Sequence, residues 1–72
     1  MANSQSGESM IERVMRVLET FEAERTVQTA SEIGRRAGLP SATAHRLIDE
    51  LVQAGVLERD ADRRIRLGLR LW

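Results

Sequence analysis

Between Ser41 and about residue 54, apolar residues recur at Ala44, Leu47, Ile48 and Leu51. This i, i+3, i+4, i+7 spacing puts side chains on one face of a helix. At about 100° per residue, the opposite face centres on Ala42, Arg46, Asp49 and Gln53, with Thr43 and His45 at its flanks. Ile11, Val14, Met15, Leu18 and Phe21 make another stripe, which predicts a first helix from Met10 to about Glu22. Ser9 and Glu12 stand at capping-box spacing at its start. A second, shorter helix is predicted from about Ala30 to Ala37, with Ala30, Ile33 and Ala37 inward and Thr29 and Glu32 as another capping box. Gly38 is placed to close that helix in a left-handed conformation. Leu39 can then turn back to the core, and Pro40 begins the third helix, where its missing N–H costs nothing.

After Gly55 the period changes. Val56-Leu57-Glu58-Arg59 and Arg64-Ile65-Arg66-Leu67 alternate apolar and charged residues around a polar turn, the pattern of a β-hairpin over 56–67. Leu57, Ile65 and Leu67 are expected to cover the helices, with Glu58, Arg59, Arg64 and Arg66 in water. Val27 to Thr29 reads as a very short strand.

A short helix, a tight glycine turn and a longer helix form a helix-turn-helix. An ordinary αα-hairpin has the same outline. The short second helix and the absence of bulky or acidic residues at the leading end of the third favour the DNA-binding form. With a hairpin directly after it, the fold class is mainly α with a small β-hairpin: a winged helix-turn-helix of three helices plus a wing, over residues 9–68. Residues 1–8 read as a disordered tail. Residues 69–72 turn apolar again and read as the start of a linker to a further, absent domain.

Seventy-two residues allow one domain, and a core this small is marginal: about 60 residues bury only about 60% of their unfolded surface. Dimerisation or attachment to a longer chain would help. With no cysteine, neither disulfides nor thiolate metal sites are available. No apolar run approaches the ~20 residues that span a bilayer, and the N-terminus lacks the pattern of a secretory signal. The expectation is a soluble, cytoplasmic protein without membrane contact.

Net charge is zero, but its distribution is not even. Residues 1–34 carry three arginines against six carboxylates, whereas residues 35–72 carry eight arginines against five. Such asymmetry hints at nucleic-acid contact. Every basic residue is arginine, which suits bidentate contact with phosphate or guanine; a GC-rich genome would also favour arginine. An enzyme is not expected: one histidine, no cysteine and no glycine-rich phosphate loop supply neither catalytic residues, a metal site nor a cofactor site.

The candidate DNA-binding residues follow from this layout. Ser41, Ala42 and Thr43 are small and lead the third helix, where a phosphate meets free N–H groups and the positive dipole end. Arg46 is the first candidate for reading guanine and His45 a second donor. Arg35 and Arg36 end the second helix, and Arg63 and Arg64 sit at the hairpin tip, in reach of phosphates or a minor groove. The same outer face could instead be solvated, with internal ion pairs. A different class of function remains open: a winged helix that contacts a protein partner through the first helix and the apolar end at Leu69–Trp72.

The segments T-A-S-E-I-G-R-R-A-G-L-P, S-A-T-A-H-R-L, G-V-L-E-R-D and R-I-R-L-G-L-R-L, in this order, resemble the N-terminal winged helix of the IclR family of bacterial transcription regulators. The resemblance covers residues 10–72. It implies a homodimer that reads a palindromic or repeated double-stranded operator. It also implies a small-molecule effector bound only by an absent C-terminal domain. The family's recognition contacts carry over onto Ser41, Thr43, His45 and Arg46, and its wing onto Arg63 and Arg64. Two departures stand out. The family's D-P-D-G wing turn has Ala61 and Arg63 in place of Pro and Gly, so a left-handed position there would be strained. Asp49 lies on the outward face, where a carboxylate repels phosphate but could accept from a cytosine amine; it is expected to pair with Arg46 or to lie beyond the contact zone.

Overall fold

The computed structural model describes residues 9–68. Helices α1 (Met10–Glu19), α2 (Ala30–Ala37) and α3 (Ser41–Gln53) are followed by strands β1 (Leu57–Arg59) and β2 (Ile65–Leu67). The strands pair antiparallel with Leu57 opposite Leu67, Glu58 opposite Arg66 and Arg59 opposite Ile65. This is the three-helix winged helix-turn-helix that the pattern predicts. The expected tail over 1–8 and linker over 69–72 lie outside the described residues.

Both capping boxes form. Gly38 ends α2 at φ 71°, and its N–H bonds to Arg35 O and Gly34 O. Only glycine takes that conformation at little cost. Arg16 reaches across from α1 and donates through Nε to Ala37 O at 2.9 Å and through Nη2 to Gly38 O at 3.2 Å. A cation on the last carbonyls of α2 stabilises that end. Pro40 stands one residue earlier than expected, as the N-cap of α3 rather than its first residue. Gly34 lets α2 and α3 approach closely: a Cβ there would lie 2.9 Å from the Ala44 Cβ.

The core holds Val17, Ile33, Ala37, Leu47, Ile48, Leu51, Leu57 and Ile65, with Val14, Leu18, Phe21 and Leu39 packed around it. The first-helix stripe differs from the expected one. Ile11 and Met15 are 74% and 46% exposed, while Val17 is fully buried. Val14, Val17, Leu18 and Phe21 satisfy the same i, i+3, i+4, i+7 rule, and it is this set that meets the core.

The helix also ends earlier, at Glu19 instead of Glu22. Thr20 turns its hydroxyl back onto Val17 O at 2.7 Å. Glu22 and Arg25 then exchange backbone bonds of 3.0 and 2.8 Å across a tight turn. The expected strand at 27–29 is reduced to one bridge, between Gln28 and Ile65.

Candidate nucleic-acid interface

The three helix starts differ in a way that matters for anion binding. In α1 and α2 a hydroxyl accepts an N–H and a glutamate neutralises the dipole. Thr29 Oγ1 accepts from Glu32 N at 3.1 Å, and Glu32 Oε1 accepts from Thr29 N at 2.9 Å. That backbone bond, helped by Arg36 and Arg35 and opposed by partial desolvation, holds the Glu32 carboxyl below its ordinary pKa. Helix α3 has neither device. Pro40 offers no side-chain acceptor, and the first turn carries no acid. Among the described residues no side chain caps the positive end of α3, and Ser41, Ala42, His45 and Arg46 around it are exposed. Thr43 is half-buried beside them.

His45 Nδ1 lies 2.9 Å from Ser41 O. A carbonyl can only accept, so Nδ1 carries the proton. Nε2 is then an acceptor on the neutral ring and a donor only on the cation, which narrows the role of donor expected for it. Ser31, Arg35, Ser41 and His45 line one crease between α2 and α3. Thr43 and Arg46 line another recess, with Met10, Arg13 and Glu50. Ser31 and Arg13 were not among the sequence candidates; only the packing of α2 and α1 against α3 places them there.

Arg36 goes elsewhere. Its Nη1 donates to Gln28 Oε1 at 2.6 Å, and Gln28 Nε2 donates to Thr20 Oγ1 at 2.9 Å. It joins Arg16 and Arg25 around a depression that shares no described residue with the α2–α3 crease. Two adjacent arginines thus line different depressions.

At the wing tip, Arg63 takes the left-handed conformation at φ 65°, the position where the resemblance leads one to expect glycine. Asp60 holds the turn. Its Oδ1 accepts from the N–H groups of Asp62 and Arg64 at 2.9 and 3.0 Å, and its Oδ2 accepts from Arg66 Nη2 at 3.0 Å. The Arg64 N–H is the largest reason that the Asp60 carboxyl titrates below its ordinary range, with Asp62 N–H and Arg66 adding to it against some desolvation. Arg63 and Arg64 are both exposed.

Asp49 pairs with Arg59 of β1 and not with Arg46: Arg59 Nη2 donates to Asp49 Oδ1 at 2.7 Å. An arginine that precedes the carboxylate on a helix has the less favourable order for a helix pair, and the hairpin brings a competing arginine alongside.

Among the described residues no group of three or more His, Asp or Glu side chains could hold a metal ion, and no helix is long and apolar enough to cross a membrane.

The IclR helix-turn-helix domain model matches residues 10–61. Among solved structures, an IclR homolog from Microbacterium hydrocarbonoxydans complexed with 4-hydroxybenzoate is 66% identical, with a TM-score of 0.87 over 89% of this chain and 27% of that one. An IclR homolog from Microbacterium sp. strain HM58-2 is 65% identical, with a TM-score of 0.86 over 90% and 27% of the two chains. An IclR family transcriptional regulator from Brucella abortus is 28% identical, with a TM-score of 0.84 over 94% and 26%. No curated protein matches. The chain spans about a quarter of the length of the structures it resembles.

Proposed function

The chain belongs to the IclR family of transcriptional regulators, as the DNA-binding helix-turn-helix portion, and we propose that α3 enters the major groove of a duplex operator while the hairpin follows the flanking backbone. The observation that carries this reading is the start of α3. Of the three helices it lacks both a side-chain cap and a first-turn acid, and it is ringed by exposed small and cationic residues.

In this reading the uncapped N–H groups and Ser41 hold a phosphate, Ala42 lets the backbone approach, and Thr43 and Arg46 face base edges. Arg46 reads guanine. His45 accepts from a base amine when neutral. Arg35 holds a phosphate across the crease, and Arg63 and Arg64 reach the backbone or the minor groove from the wing. Arg36, tied to Gln28, supports the fold more than the contact. Zero net charge means that binding rests on this one face, so two copies on a palindromic or repeated operator multiply a modest affinity.

The whole regulator, in this reading a cytoplasmic homodimer, senses a small molecule through a domain beyond this chain. The complex of the M. hydrocarbonoxydans relative with 4-hydroxybenzoate supports an aromatic acid as the class to try first. A protein contact through α1 is the second reading, favoured by the exposure of Met10, Ile11 and Met15.

Fluorescence anisotropy of a labelled random-sequence duplex across a salt series tests the proposal. Salt-sensitive binding that Arg46→Ala weakens is expected. Absence of binding at low salt overturns it and leaves the protein contact.

A further inference from the structure

We propose that Arg59 is a further DNA-contacting residue, gripping a backbone phosphate in the angle between α3 and the wing, and that Asp49 is its positioning residue. The proposal rests on the reading of α3 and the wing as DNA-facing surfaces.

Arg59 ends β1 opposite Ile65 and two residues after Leu57. In a strand such residues share one side of the sheet, and Leu57 and Ile65 are buried on that side against the helices. The Arg59 side chain is therefore carried toward α3, unlike that of Glu58. It meets Asp49, which lies three residues after Arg46 and belongs to the same outward face. The pair closes at 2.7 Å with side chains 33% and 63% exposed.

An ion pair this open adds little to stability, because water screens it and two side chains must be held still. Its consequence for binding is larger. A carboxylate on the groove-facing helix repels phosphates, and Arg59 neutralises it. Asp49 accepts from one Nη of a guanidinium that has five N–H donors, so Arg59 keeps donors for phosphate oxygens while its direction is already set. Ordering the side chain before DNA arrives removes part of the ordering cost at binding.

The test uses the anisotropy salt series on the native chain, Arg46→Ala, Arg59→Ala, Asp49→Ala and the Asp49→Ala/Arg59→Ala double variant, with melting by circular dichroism as a control for folding. If Arg59→Ala melts early, Arg59→Gln replaces it, keeping hydrogen bonding to Asp49 without the charge. Loss of one phosphate contact should lower the slope of log K against log salt by about 0.9. Asp49→Ala separates positioning from plain charge removal. Removing a negative charge tightens binding in both backgrounds if Asp49 only repels. If it aims Arg59, the substitution tightens binding in the Arg59→Ala background and weakens it when Arg59 is present.

An unchanged slope for Arg59→Ala and Arg59→Gln, with Arg46→Ala weakened as expected, overturns this proposal alone. Equal tightening by Asp49→Ala in both backgrounds overturns the positioning role. A native chain that does not bind overturns the underlying DNA reading as well.

Discussion

Gln28 and Ile65 face each other across a single β-bridge, exchanging backbone bonds of 3.0 Å (Gln28 N–H to Ile65 O) and 2.6 Å (Ile65 N–H to Gln28 O). The bridge ties the segment before α2 to the second wing strand. Gln28 is 1% exposed, and its side chain links buried Thr20 to Arg36. Replacing it with leucine, of similar volume, keeps the bridge but leaves Arg36 without its acceptor and strips a donor from Thr20. Gln28→Leu should lower stability by about 1–3 kcal/mol in urea denaturation. It should also speed amide exchange at Ile65, since the wing hangs on this segment.

Arg35 and Arg36 are neighbours in sequence with opposite expected roles. Arg35 lines the crease with Ser41 and His45, so Arg35→Ala should lower the salt slope of DNA binding by about 0.9 and leave melting nearly unchanged. Arg36→Ala should cost about 1 kcal/mol of stability through the lost bond to Gln28 with the slope intact. The two readouts, anisotropy and thermal melting, should move in separate variants.

Arg63 holds φ 65° in a conformation that costs a non-glycine residue about 1–2 kcal/mol. Glycine has no such cost there but makes the unfolded chain more flexible, which offsets part of the gain. Arg63→Gly should therefore raise stability by up to about 1 kcal/mol while weakening DNA binding. Arg63→Ala should weaken binding without the stability gain. Opposite signs of the two effects in one variant would identify the wing tip as a site where stability yields to contact.

Asp60 and Glu32 both titrate below their ordinary range in the folded chain, chiefly because backbone N–H groups donate to their ionised forms. A lowered carboxyl pKa means that the unfolded chain binds protons more readily. The stabilisation is present above the ordinary carboxylate range, about pH 4, and fades as pH falls through and below it. Thermal melts from pH 7 to pH 2.5 should show this loss, and Asp60→Asn should flatten part of it. In the same titration the NMR amide signals of Asp62 and Arg64 should shift together as Asp60 takes up its proton.

The parts of the fold legible in the sequence are those written in neighbouring residues. A capping box needs only Ser9 and Glu12, or Thr29 and Glu32; the left-handed end of α2 needs only a glycine at 38; the α3 stripe has no rival at the same spacing. The first helix is different. A stripe through Ile11 and Met15 and one through Val14, Val17 and Leu18 both obey the helical period, and apolar spacing alone does not choose between them. The packing of α2 does. The end of α1 at Glu19 is likewise decided by the turn from Glu22 to Arg25 and the inward pull of Gln28.

The candidate site divides in the same way. By itself the sequence determined that small and cationic residues lead an amphipathic helix after a tight turn, and that arginines sit at the hairpin tip, because periodicity and turn chemistry act over a few residues. Only the tertiary structure decided that Arg35 joins Ser41 while Arg36 turns to Gln28, that Arg13 lies beside Arg46, and that Asp49 finds Arg59. Each of these depends on the angle at which one element crosses another. That angle is set by close contacts distant in sequence, such as Gly34 against Ala44 and Gln28 against Ile65, and no local pattern carries it.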